Sequence, residues 1–207
     1  MILCDIGNSR MHFFDGGTIK HLSYEEGIAI YGEMQVFYIC VSDRAQAMIA
    51  QSAPAWVDLS KYRVLKTAYR GLGIDREAAC LGIGDGIVID AGSAITVDVM
   101  ENGIHRGGWI WPGIRAMLKA YEAVSPKLSY PLNPNVALDQ LPMETQDAIS
   151  FGLLAPIQAV IERFRNGKGV VVTGGDAKIV AQLLPDAQID ETLVFKGMKQ
   201  MLKDVEC

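Results

Sequence analysis

The chain has 207 residues, 50% of them hydrophobic and 21% charged, with 19 Lys+Arg against 24 Asp+Glu and a net charge of -5. At roughly 150 residues per domain it holds one domain or two small ones, and at this size it buries about 70% of its unfolded surface without needing a disulfide or metal for its core. The hydrophobic content excludes a disordered chain, and an acidic balance with no basic run longer than a pair argues against a nucleic-acid partner.

The start, Met1-Ile2-Leu3-Cys4-Asp5, lacks the basic region and long apolar stretch of a signal peptide. Ile2-Leu3-Cys4 predicts a strand running into Asp5-Ile6-Gly7-Asn8-Ser9. A second strand is expected over Met11–Phe14, a hairpin turn at Asp15-Gly16-Gly17, and a third strand over 18–22. Residues 36–41 predict a buried strand, followed by a helix over 42–51 with Ser42 as N-cap. Residues 56–65 are ambiguous, and 75–81 predict a short helix. The opening pattern then returns. Ile87-Val88-Ile89 predicts a strand running into Asp90-Ala91-Gly92-Ser93-Ala94, with a strand over 95–100, an Asn102-Gly103 hairpin and a returning strand over 104–111. A helix is expected over 114–123 and an irregular excursion over 125–142, which holds four prolines. The pattern over 144–165 predicts a long amphipathic helix with a bend at Pro156. It contains the longest apolar region, residues 151–161, which is shorter than the ~20 residues of a membrane span. Val170-Val171-Val172 predicts a buried strand ending in Thr173-Gly174-Gly175-Asp176, followed by helices near 177–184 and 191–203.

Asp5-x-Gly7-Asn8 and Asp90-x-Gly92-Ser93 each follow three β-formers and each precede a strand ending in a tight hairpin. The repetition predicts two copies of one sheet-and-helix unit. Glycine lets backbone N–H groups face a ligand, and the hydroxyls and amide of Asn8, Ser9 and Ser93 add short hydrogen-bonding groups, so both loops suit phosphate. A carboxylate beside a phosphate needs a cation between them. Arg10 is the one basic residue within the two loops, which points to a metal ion held by Asp5 or Asp90. The alternative is a pair of ordinary Asp-Gly turns.

Other signatures fail. No G-x-x-x-x-G-K-[ST], no G-x-S-x-G and no CxxC occur, and Gly82-x-Gly84-x-Gly86 precedes its strand where a dinucleotide fingerprint must follow one. Cys4, Cys40, Cys80 and Cys207 are far apart, and three of the four sit in apolar contexts as small hydrophobes, which fits a reducing cytoplasm. Nothing links His12, His21 and His105 as ligands, so each reads as a surface or core side chain. Thr173-Gly174-Gly175-Asp176 is either a helix-opening phosphate loop or a plain loop with Asp176 as N-cap. In Gly73-Ile74-Asp75-Arg76, Asp75 is either an N-cap or a base, with Arg76 solvated or clamping a carboxylate.

Taken together these loops resemble the type III pantothenate kinases of the acetate-kinase, sugar-kinase, Hsp70 and actin superfamily. The resemblance spans the chain in order: the Asp5 loop, Gly73-Ile74-Asp75-Arg76, Asp90-Ala91-Gly92-Ser93-Ala94-Ile95-Thr96, Gly107-Gly108, Pro112-Gly113 and Thr173-Gly174-Gly175-Asp176-Ala177. It implies an α/β fold of two tandem ribonuclease H-like β-sheet-plus-helix subdomains, the actin-like ATPase fold, over 1–84 and 85–207 with a cleft between them. The implied reaction is ATP-dependent phosphorylation of pantothenate to 4'-phosphopantothenate, the first step of coenzyme A synthesis. Its general base falls on Asp75, and pantothenate binding on Tyr69, Gly73, Ile74, Asp75, Arg76 and Thr145. ATP binding falls on Asp5, Ile6, Gly7, Asn8, Ser9, Arg10, Met11, His12, Ser93, Gly174 and Gly175. A monovalent cation, potassium or ammonium, falls on Asp90, and magnesium accompanies ATP near Asp5, directly or through water. The family forms homodimers, and a cytoplasmic location follows. The chain departs from the family at His12, where many members carry Lys, and at Ser9 and Ser93, where Thr is commoner. The alternatives are a sibling kinase for another small hydroxyl substrate and a non-catalytic nucleotide-sensing regulator.

Overall fold

The computed structural model describes residues 1–203. Its first half runs β1 (Ile2–Ile6), β2 (Met11–Phe14), β3 (Ile19–Leu22), α1 (Tyr24–Tyr31), β4 (Val36–Cys40), α2 (Asp43–Ser52), β5 (Val57–Asp58), a 3-10 turn over Leu59–Lys61, β6 (Lys66–Thr67) and α3 (Ile74–Ile83). The second half runs β7 (Gly86–Ala91), β8 (Ala94–Glu101), β9 (Ile104–Pro112), α4 (Ile114–Val124), a 3-10 turn over Pro126–Leu128, α5 (Thr145–Arg165), β10 (Val170–Thr173), α6 (Ala177–Gln182), β11 (Gln188–Ile189) and α7 (Leu193–Lys203).

The chain divides into two compact units. The first comprises Met1–Gly84, Met100–Gly107 and the chain from Thr192 onward; the second comprises Asp85–Val99 and Gly108–Glu191. In the first, five strands lie in the order β3-β2-β1-β4-β5, with β2 antiparallel to both β1 and β3, and β4 parallel to β1 and β5. Alternation along β1 and β2 turns Cys4, Ile6, Met11 and Phe13 into a core with Tyr24, Tyr31, Ile49 and Trp56. Phe13 stacks on Tyr31, with ring centroids 4.2 Å apart. Ser42 caps α2 as its type predicts, accepting a hydrogen bond from Ala45 N–H. Helix α7 packs on α3 so closely that a Cβ at Gly197 would overlap the Ala78 carbonyl, so only glycine fits there.

In the second unit β7 lies between β10 and β8, and the sheet order reads β11-β10-β7-β8-β9, with β6 added beyond β9 at the Met100–Gly107 tip. Strands β7, β10 and β11 are parallel. Relabelled from their first strands, both sheets therefore have the order 3-2-1-4-5, which is the topological form of the repeat in the sequence. Ile87, Ile89, Val97, Val170 and Val172 form the core with Ile149, Leu153, Leu154, Ile157 and Ile161 of α5. The Asn102-Gly103 turn has positive φ at both residues, 53° and 72°, as a type I′ hairpin requires. Helix α5 runs through Pro156 without ending.

Four elements lie outside the sequence expectations. Helix α1 carries a complete capping box between Ser23 and Glu26, so its S-x-x-E signature was present to be read. The two-residue strands β5, β6 and β11 carry no periodicity of their own and exist through their neighbours. Cys4 and Cys80 are buried and Cys40 is half-buried, whereas Cys207 lies outside the described residues.

Candidate functional site

The two Asp-Gly loops occupy equivalent places, at the carboxyl ends of β1 and β7, each with a parallel strand alongside. Ligands of open α/β sheets bind at such strand ends. In the first unit, Asp5 lies opposite His12, and His12 opposite His21, in adjacent antiparallel strands. Gly7 N–H donates to the Arg10 carbonyl at 3.1 Å and closes the turn. The Tyr24 hydroxyl donates to the Gly7 carbonyl at 2.7 Å. Ile6 and Met11 bury their side chains on either side of the turn, while Asn8, Ser9 and Arg10 are exposed.

His12 and His21 bring their Nδ1 atoms within 2.6 Å, one ring donating and the other accepting. Burial, reinforced by His21 and Arg10, pushes the His12 imidazole down to about 4, so it is neutral at physiological pH. The contact pairs two histidines that no sequence motif links. The hairpin signal could have revealed this, because a turn centred between Gly16 and Gly17 places residue 12 opposite residue 21.

In the second unit, Asp90 lies in register with Thr173 across the parallel β7 and β10 pair, so Gly174 and Gly175 follow beside Ala91 and Gly92. Three backbone hydrogen bonds hold this loop: Gly92 N–H to Ala94 O at 2.9 Å, Gly113 N–H to Ser93 O at 3.0 Å, and Asp176 N–H to Ala91 O at 2.8 Å. Gly174 has φ +93°, and a Cβ there would lie 2.5 Å from both Asp90 Oδ1 and Ala91 O. A Cβ at Gly113 would likewise meet the carbonyls of Gly92 and Ser93. The donors here are a carboxylate and carbonyl oxygens with no imidazole or thiolate among them, and such an all-oxygen set fits a hard cation. The Ser93 hydroxyl is exposed. Asp176 occupies the N-cap of α6 without a side-chain capping bond. Thr145 opens α5, in an open depression with Pro142, Met143, Glu144 and Ala148 that does not include the Asp90 loop.

The Gly73-to-Arg76 segment forms the start of α3. Gly73, not Asp75, is the N-cap, and Asp75 stands in the first turn with Oδ1 accepting from Arg76 N–H at 2.8 Å. Ile74 is buried and anchors the helix start. Arg76 is 6% exposed, with its guanidinium 5.0 Å from the centroid of the Tyr69 ring. It is therefore not solvated. Tyr69 N–H donates to Thr67 Oγ1 at 3.0 Å, and Thr67 Oγ1 also hydrogen-bonds His105 Nδ1 at 2.8 Å. The structure thus brings Tyr69, Asp75 and Arg76 together, held by two neighbours outside the motif.

Glu77, which belongs to no sequence motif, is 2% exposed. Its Oε1 accepts from Val64 N–H at 3.0 Å and Leu65 N–H at 3.2 Å, and its Oε2 from Arg63 Nη1 at 3.1 Å. The signal was a charge directly before Ala78-Ala79-Cys80, on a helix otherwise apolar there.

Comparison with known proteins places these loops in context. The family model for type III pantothenate kinase matches residues 38–166. A type III pantothenate kinase from Wolinella succinogenes is 42% identical, covering 100% of this chain and 98% of the relative. Among solved structures, a conserved protein from Campylobacter jejuni described within the Baf family of transcriptional activators has 38% identity and a TM-score of 0.89, covering 100% of this chain and 99% of that one. MreB5 of Spiroplasma citri bound to ADP, 12% identical with a TM-score of 0.53 over 99% of this chain and 96% of that one, shares the fold.

Proposed function

Because the chain belongs to the type III pantothenate kinase family, we propose that it transfers the γ-phosphoryl group of ATP to the primary hydroxyl of pantothenate, making 4'-phosphopantothenate in coenzyme A synthesis. One observation carries the reading: the 42% identity with a pantothenate kinase runs over 100% of this chain and 98% of the relative. The two Asp-Gly loops at equivalent strand ends support it, since phosphoryl transfer relies on positioning and charge neutralisation more than on covalent chemistry.

In this proposal the backbone from Asp5 to His12, the Ser93 hydroxyl and the Gly174-Gly175 pair hold ATP. Tyr69, Gly73, Ile74, Asp75, Arg76 and Thr145 hold pantothenate, with Arg76 offering a planar fork to its carboxylate. Asp75 aligns the hydroxyl and accepts its proton. A monovalent cation at Asp90, and magnesium arriving with ATP near Asp5, would supply positive charge beside the phosphates. We read 1–84 and 85–207 as the two copies of the duplicated sequence, each contributing one phosphate loop, with Met100–Gly107 and α7 of the second copy packed into the first unit, in a cytoplasmic homodimer.

The test is a coupled ADP assay with ATP, pantothenate, magnesium and ammonium. Asp75→Asn is expected to lower kcat by about 10²–10⁴-fold with little change in the KM for pantothenate. Unchanged turnover in that variant places the base elsewhere. The description of the Campylobacter jejuni relative favours a second reading, a nucleotide-responsive regulator. ATP binding without ADP formation by the wild-type protein would select it.

A further inference from the structure

The segment from Arg63 to Arg76 carries Tyr69, Asp75 and Arg76, yet it contains only the two-residue strand β6 before α3 begins. Short strands and open loops do not by themselves hold side chains to the fraction of an ångström that transfer chemistry needs. Glu77 supplies the missing constraint. Its buried carboxylate accepts Val64 N–H and Leu65 N–H where the segment starts, while its own backbone sits in the first turn of α3, next to Arg76. Arg63 completes the clasp: the same Nη1 donates to Glu77 Oε2 and, at 2.9 Å, to the carbonyl of Leu72, just ahead of Gly73. Four hydrogen bonds thus join the beginning of the segment to its end.

We propose that Glu77, acting with Arg63, is a positioning residue for the substrate loop, fixing Tyr69, Asp75 and Arg76 relative to one another. The proposal rests on the assignment of that loop to pantothenate. Both Glu77 oxygens are taken up by Val64, Leu65 and Arg63, so its carboxylate is committed to the clasp. Both carboxylate oxygens are needed, because together they accept from two amides and a guanidinium. A neutral amide at 77 keeps one accepting oxygen and turns an N–H₂ toward a donor, so a nearly isosteric change unties one side of the clasp. Arg63 is half-exposed and joins the clasp from its solvent side.

Glu77→Gln and Arg63→Gln separate positioning from general stability. Both are expected to raise the KM for pantothenate about tenfold, in line with the large penalties that small misplacements carry. The KM for ATP stays within about twofold, because the clasp touches no residue assigned to ATP. Hydrogen exchange at Val64 and Leu65 speeds up in Glu77→Gln while the amides of β1 and β7 stay protected. The double variant is expected to be no worse than the poorer single one, since both cut the same clasp. If Glu77→Gln does not fold, Arg63→Gln carries the test alone. An unchanged pantothenate KM in a folded variant overturns the proposal, as does a fall in apparent kcat that tracks the folded fraction while both KM values stay the same. A wild-type protein inactive on pantothenate would instead sink the functional assignment, while faster exchange at Val64 and Leu65 in Glu77→Gln would still report the clasp.

Discussion

The Asp5 loop and the Asp90 loop begin from nearly the same residues and end in different mechanical states. The Asp90 loop is enclosed: Gly174 and Gly113 press their backbones against its oxygens, leaving no room for a Cβ at either glycine. The glycines within the two loops have the same room, a Cβ at Gly7 meeting only the Arg10 carbonyl at 3.8 Å and one at Gly92 only Ala94 O at 3.8 Å and Asp90 Oδ1 at 3.9 Å, but the Asp5 loop is followed by three successive side chains that point to solvent. A repeated motif therefore does not repeat its surroundings. The enclosed copy suits a small ion held by fixed oxygens, and the open copy suits a flexible polyphosphate.

The most severe way to break this contrast is Gly174→Ala. Adding a left-handed strain of about 1–2 kcal/mol to an overpacking cost of about 1–3 kcal/mol gives a loss of roughly 2–5 kcal/mol, or a displaced Asp90. Gly7→Ala is expected to cost less than about 0.5 kcal/mol. Chemical denaturation and cation-activation curves of the two variants check this; equal effects would erase the distinction between the loops.

A smaller effect is expected from Tyr24→Phe, which removes the hydroxyl that donates to the Gly7 carbonyl and lies 3.2 Å from Ser42 Oγ. The loss is about 1 kcal/mol of stability, with a few-fold rise in the KM for ATP and none in that for pantothenate. A rise confined to pantothenate would mean that the turn does not serve ATP.

The smallest effect is on pH dependence. The folded His12 sits at about 4, against an ordinary value near 6.5. Between those values the unfolded chain takes up a proton that the folded chain refuses, so stability falls as pH drops from about 6.5 towards 4. Glu, Asp and other groups add their own slopes, so the informative quantity is the difference between wild type and His12→Gln. The variant is expected to lose less stability across that window, measured as urea midpoints at pH 7 and pH 5. Parallel curves would show that the His12–His21 contact carries no such linkage.

The legible parts of this chain were those governed by neighbours in sequence. Ser42 as a cap, the Asn102-Gly103 turn and the apolar runs of β1, β4, β7 and β10 each depend on local backbone chemistry. The order of the loops was enough to identify the family. The site was less legible. Asp75 reads as a cap until Gly73 is seen to hold the N-cap position. Arg76 looks like a surface charge until Tyr69 is seen beside it, and Glu77 carries no motif at all. Its partners at 63 to 65 lie 12 to 14 residues away, beyond the reach of any helical or strand period.

Sequence alone determined that two similar strand-loop-hairpin units follow one another, because φ/ψ preferences and alternation act over a few residues. Tertiary structure decided which Asp-Gly loop is enclosed, which histidines meet and which carboxylate ties residues 63–65 to the start of α3. Those outcomes depend on close approach between segments distant in the chain, and hydrogen bonds and excluded volume act on distance in space, whatever the separation in sequence.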